Sequence, residues 1–159
     1  MPEPATSAPV ADREIVNTRL LDAPRELVFR AFSEPAHLAQ WWGPDGFTNT
    51  FREFDFRPGG HWRFVMHGPD GTDYENHSVF DEISEPARIV FRHLDLEHHF
   101  QMTILFAAEG AKTQITWRML HDTVEKCEQV KPFVLAANEQ NFNRLAAELT
   151  KMKTQSTNL

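Results

Sequence analysis

Two hydrophobic periods divide this chain, a period of two through its middle and a helical period near its end. Residues 61–67 alternate Trp62, Phe64 and Met66 with His61, Arg63 and His67, which predicts a strand with one apolar face. Residues 50–57 place Phe54 and Phe56 opposite Glu53, Asp55 and Arg57, and Pro58-Gly59-Gly60 turns the chain between the two runs. A second turn, Gly68-Pro69-Asp70-Gly71, follows. Strands at 78–83 and 88–94 flank Ser84-Glu85-Pro86-Ala87, and strands at 99–107 and 112–120 flank Ala108-Glu109-Gly110-Ala111. In the last of them Ile115, Trp117 and Met119 alternate with Gln114, Thr116 and Arg118.

Ahead of this series, residues 14–21 (EIVNTRLL) read as a first strand. Asp22-Ala23-Pro24 opens a helix that carries Leu27, Val28, Ala31 and Phe32 at helical spacing. Residues 35–42 form a second short helix presenting Leu38, Trp41 and Trp42, stopped by Gly43-Pro44. After the strands, residues 123–152 hold Leu135, Asn138, Phe142, Leu145, Leu149 and Met152 on one stripe, with Phe133, Val134 and Ala137 widening its start. Pro132 predicts a kink or a short loop early in this helix. The order implies an α+β domain in which a long C-terminal helix covers a curved antiparallel sheet. Residues 1–12 read as a flexible lead, 13–152 as the single domain and 153–159 as a polar tail.

Composition narrows the function. A length of 159 residues suits one domain with its own core. Thirteen Phe and four Trp supply either a packed aromatic interior or the wall of an apolar pocket. The formal charge of −7, without a Lys/Arg cluster, argues against nucleic-acid binding. Cys127 is the sole cysteine, which excludes an intrachain disulfide and accords with a reducing compartment, so the expected location is cytoplasmic. The first twelve residues carry no signal-peptide pattern, and no apolar run is long enough for membrane insertion.

Candidate polar chemistry is sparse. His93, Glu97, His98 and His99 lack a recognised ligand spacing and read as a solvated hairpin tip, so no metal and no cofactor is expected. Asp55, Arg57, His61 and Arg63 read as cross-strand charge pairing. There is no nucleophile elbow, Cys–His pair or phosphate loop. The candidate ligand-pocket residues are therefore mostly apolar: Trp41, Trp42, Phe47, Trp62, Phe64, Met66, Met102, Trp117, Phe133 and Phe142. Asn138 joins them from within the apolar stripe.

The motifs Trp41-Trp42-Gly43-Pro44, DFRPGGHWRFVMHGPDGTDYEN (residues 55–76), Val79–Ile83, Pro86–Phe91 and Asn138-Glu139-Gln140-Asn141-Phe142 resemble the START-like superfamily. Within it they are most similar to the branch named after the activator of the heat-shock-protein ATPase, over residues 13–149. Glu75 stands where close relatives carry Pro. The resemblance implies a helix-grip fold, with a sheet of six or seven strands wrapped around the long helix and two short helices after strand one. It implies binding of a small apolar or amphipathic ligand in a cavity between sheet and C-terminal helix. Two alternatives stay open: a polyketide-cyclase-like or related enzyme using the same cavity, and a co-chaperone-like interaction module regulating a partner protein. Neither the ligand nor the oligomeric state, monomer or homodimer, follows from it.

Overall fold

The strands expected from the alternation pair into one sheet. They are β1 (Glu14–Leu21), β2 (Thr48–Phe54), β3 (His61–His67), β4 (Asp73–Ser84), β5 (Arg88–His93), β6 (Phe100–Glu109) and β7 (Lys112–His121). All neighbours are antiparallel, in the order β1-β7-β6-β5-β4-β3-β2. The computed structural model describes residues 10–95 and 99–157. A short 3-10 turn, Val10–Arg13, leads into β1 within what reads from sequence as a flexible lead, the rest of which lies outside the described residues.

β1 and β2 lie at opposite edges of the sheet, so their connection must cross its whole width. It crosses on the inner face as two helices, α1 (Arg25–Ser33) and α2 (Pro35–Trp41). α1 turns Val28, Phe29, Ala31 and Phe32 inward, and Phe29 and Phe32 both pack on Phe106 of β6. Pro35 occupies the first turn of α2, where its missing N–H leaves no helical bond unmade. The third helix, α3 (Val124–Thr157), packs against β1, β7, α1 and α2.

Three expectations are revised. α3 is continuous through Pro132, so of the kink and the short loop predicted there the loop does not form, and it runs on to Thr157 where the sequence suggests a tail from residue 153. β4 begins at Asp73, five residues before the expected start, because Asp73–His77 pair with β3 through their backbones. β2 carries a bulge between Phe51 and Glu53. The extra residue turns Phe51 to the same side as Phe54 and brings their rings 5.7 Å apart.

The inner face is the apolar face throughout. Ile15, Trp62, Phe64, Phe80, Phe91, Met102, Ile104, Ile115 and Trp117 all lie buried on it, with Phe142, Leu145, Leu149 and Met152 of α3 completing the core. Each such side chain stabilises the fold by roughly 1.5–3 kcal/mol through area removed from water.

Candidate functional site

The crossing helices deliver two tryptophans to the centre of the inner face. Trp41 ends α2 and is fixed there, its indole N–H donating to the carbonyl of Ala31 at 3.0 Å. Trp42 follows in extended backbone, which turns its ring to lie 5.4 Å from Trp117 and 5.1 Å from Trp62 between ring centres. Phe91 closes the group at 6.2 Å from Trp42. Of the four tryptophans only Trp42 is not buried; Trp41, Trp62 and Trp117 are 1%, 2% and 1% exposed.

The indole N–H groups of Trp62 and Trp117 find no acceptor among the described residues. Trp62 is surrounded by rings: Phe64 stacks on it at 4.4 Å, and Trp42, Phe91 and Phe54 meet it edge-on. A buried donor without a partner costs about 1–3 kcal/mol, so two in one core are a feature to be explained. A void of about 10 Å³ lies beside Trp62, the scale of a single water. Its walls are Phe32 and Leu38 from the crossing helices, Trp42, and Phe56, Trp62, Phe80, Ile89, Phe91 and Ile104 from the sheet side. None of these walls carries a titratable group. α3 contributes no residue to the void, which therefore sits under α1 and α2 rather than under the C-terminal helix.

The loop that carries Trp42 is held from both sides. Arg144 of α3 donates to the carbonyls of Gly43 (2.8 Å), Pro44 (2.9 Å), Phe47 (2.9 Å), Gln40 (3.2 Å) and Trp42 (3.5 Å). Burial draws its pKa down, while Asp45 opposes that shift. Asn141 accepts from the Gly43 N–H at 2.8 Å and Gln140 from that of Asp45 at 3.0 Å. Across the loop, Asn49 of β2 donates to Trp42 (2.7 Å) and Ala39 (3.1 Å). Gly43 adopts φ +106°, and a Cβ there would meet the Met66 methyl at 2.9 Å, so the motif requires glycine. Gly60 is required for a harder reason: its Cβ would fall 1.9 Å from the Asp55 carbonyl inside the turn that seats Phe56.

Residues 22–152, nearly the whole domain, match the family model described as Activator of Hsp90 ATPase homolog 1-like protein. The chain belongs to this family. It is the branch that the WWGP and DFRPGG segments resemble, and its architecture is the helix-grip fold. Solved structures agree on the architecture. A protein of Nitrosomonas europaea superposes with a TM-score of 0.82 at 21% identity, covering 92% of this chain and 99% of its own. A Mycobacterium smegmatis protein gives 0.80 at 23%, covering 92% and 96%. The AHSA1 protein of Silicibacter pomeroyi gives 0.71 at 22%, covering 87% and 99%. No curated protein matches the sequence.

Within this family fold, Trp41, Trp42, Trp62, Phe64, Trp117 and Phe142 form one contiguous aromatic cluster. Met102 is buried in the same core. Phe47 and Met66 stand half-buried beside the Gly43 loop, Phe47 facing Tyr74 at 6.0 Å. Phe133 does not join them; it is 64% exposed. Asn138 is buried but engaged, donating to Asn17 at 3.1 Å and to the Met119 sulfur at 3.4 Å, in a network that ties α3 to β1. Arg144, Asn49 and Phe91 are the participants that sequence reasoning missed.

The histidines lie elsewhere. His61 and His77 share a hydrogen bond of 2.7 Å on the outer face, and His99 pairs with Asp122 at 3.0 Å. His93 bonds Asn76 at 2.9 Å and stacks on Phe100 at the end of the inner face. Glu97 and His98 lie outside the described residues. Among the described residues no three His, Cys, Asp or Glu side chains converge as metal ligands. Cys127 is buried, and burial raises its pKa, the opposite of an activated thiol. No described helix is long and apolar enough to cross a membrane.

Proposed function

We propose that this protein binds a small apolar or amphipathic molecule within its aromatic interior, between the sheet and the crossing helices α1 and α2. The observation that carries the reading is the pair of buried, unpartnered indole donors of Trp62 and Trp117 beside a half-buried Trp42. An interior evolved only for packing has no use for two donors without acceptors. A ligand oxygen or nitrogen would satisfy them, which favours a molecule that is mostly apolar but carries an acceptor. The family fold supports the reading, since its helix-grip architecture sets helices over the concavity of a curved sheet.

Catalysis is the weaker alternative. An enzyme needs an acid, base or nucleophile at the reacting centre, and the walls of the void supply none. The nearly filled interior favours a second reading, a closed module that acts by contacting another protein. The two separate in native mass spectrometry of protein purified from the cells that produce it. A binder retains a small molecule that organic extraction releases, and its return gives a negative heat-capacity change in calorimetry as apolar surface is buried. Protein that carries no small molecule, and shows no saturable binding across lipids, aromatic acids and ketones, supports the closed module instead.

A further inference from the structure

The void is far too small for any organic ligand, so binding requires one of its walls to move. Three observations single out which wall. Trp42 is the only tryptophan that reaches both solvent and the interior. Its ring contacts both indoles whose N–H groups lack partners, at 5.1 Å and 5.4 Å between centres, and it borders the void. Its backbone, by contrast, is anchored: the N–H donates to Leu38 at 3.0 Å and the carbonyl accepts from Asn49 at 2.7 Å. The neighbouring carbonyls are gripped by Arg144. Opening the whole loop would break all of these bonds together. Turning one ring about its Cα–Cβ bond breaks none of them.

We propose that the Trp42 ring occupies the ligand's own position, and that it swings outward on a fixed backbone to admit a planar, indole-sized molecule whose acceptor atom takes a hydrogen bond from Trp62 or Trp117. This rests on the binding reading above and adds the class of ligand and the residue that controls access. The vacated space is walled by Trp41, Trp62, Phe91 and Trp117, which suits a flat bicyclic ligand. A donor-bearing aromatic wall without acceptors of its own selects a carbonyl or ring-nitrogen compound over a plain hydrocarbon. Competition between the ring and the ligand lowers apparent affinity by the fraction of time the ring is out, and removing the ring lifts that restriction.

The test uses two bicyclic probes, naphthalene and 1-tetralone, which differ chiefly in a carbonyl. Dissociation constants are measured for the wild type, Trp42→Ala and Trp42→Phe, with folding checked by circular dichroism. Trp42→Ala should bind both probes at least about tenfold more tightly than wild type, with Trp42→Phe in between. If the alanine variant fails to fold, the phenylalanine variant alone carries the comparison and must still bind more tightly than wild type. On the Trp42→Ala background, Trp62→Phe or Trp117→Phe should weaken 1-tetralone about fivefold to tenfold, the range for one lost hydrogen bond, and alter naphthalene less than twofold. Folded Trp42 variants that bind no better than wild type, or worse, would make Trp42 a fixed wall and overturn the inference while leaving the binding reading intact. Equal effects of the donor substitutions on both probes would overturn the acceptor assignment. Absence of binding of both probes to every form of the protein would overturn the inference, while the binding reading would still stand or fall on native mass spectrometry.

Discussion

Arg144 has backbone carbonyls where an arginine usually has a carboxylate. Its planar fork reaches five of them, from Gln40 in the last turn of α2 to Phe47 at the far end of the loop, which explains why the chain uses arginine rather than lysine at this point of α3. Arg144→Ala leaves those carbonyls partly unpaired and should lower unfolding free energy by about 2–3 kcal/mol in urea titration. Arg144→Lys should recover less than half, because a single ammonium cannot span them. The histidines give a second expectation. Burial lowers the pKa of His77, assisted by Arg63 and His61, and burial lowers that of His121 against the opposing influence of nearby carbonyls and Asp122. Both are neutral in folded and unfolded chains well above their ordinary value of 6.5. As pH falls below it, the unfolded chain takes up protons first, so stability declines from about pH 6.5 downward until the folded histidines also titrate. Urea midpoints measured from pH 7.5 to 5.5 should fall, and the double variant His77→Gln/His121→Gln should flatten that slope. A midpoint independent of pH across this window would contradict it.

Opposite faces of α3 do different work. Phe142, Leu145, Leu149 and Met152 are buried in the core, whereas Phe133 is open to solvent. The stripe from Leu135 to Met152 was legible in the sequence because it keeps one phase over several turns. Phe133 does not widen its start, because it lies two and a half turns before Phe142 and so on the opposite side of the helix. Leu145→Ala should cost about 2–5 kcal/mol in chemical unfolding, and Leu145→Asp should prevent folding. Phe133→Ser should stay within about 0.5 kcal/mol of wild type. Equal costs at the two positions would refute this placement. Strands were legible where one face is apolar, as in β3 and β7, and illegible where the ladder alone defines them. Asp73–His77 are polar or exposed, so no periodicity announces that they pair with β3. The β2 bulge was hidden for a related reason: Phe51 and Phe54 are three apart, a spacing that a regular strand sends to opposite faces.

At the scale of the molecule, the decisive feature is that β1 and β2 occupy opposite edges, which forces α1, α2 and the WWGP loop across the concavity. The architecture was legible from the order of elements and from the family motifs. Whether the aromatic residues enclose space or fill it was not, because residue counts carry no volume; in this conformation they leave a void of about 10 Å³ beside Trp62. Among the described residues no cluster of possible metal ligands is found, and treatment with a chelator should leave Tm unchanged; a fall of several degrees would point to a structural ion. The central claim is that the interior behind Trp42 receives a ligand. It is tested most directly by following the four indole N–H resonances of the ¹⁵N-labelled wild-type protein during titration with 1-tetralone. Trp41 is already bonded to Ala31, so its N–H has no bond to gain from the probe. The account predicts saturable downfield shifts of Trp62 or Trp117, accompanied by movement of Trp42. Four resonances that stay in place at saturating probe, or a shift confined to Trp42, would contradict it.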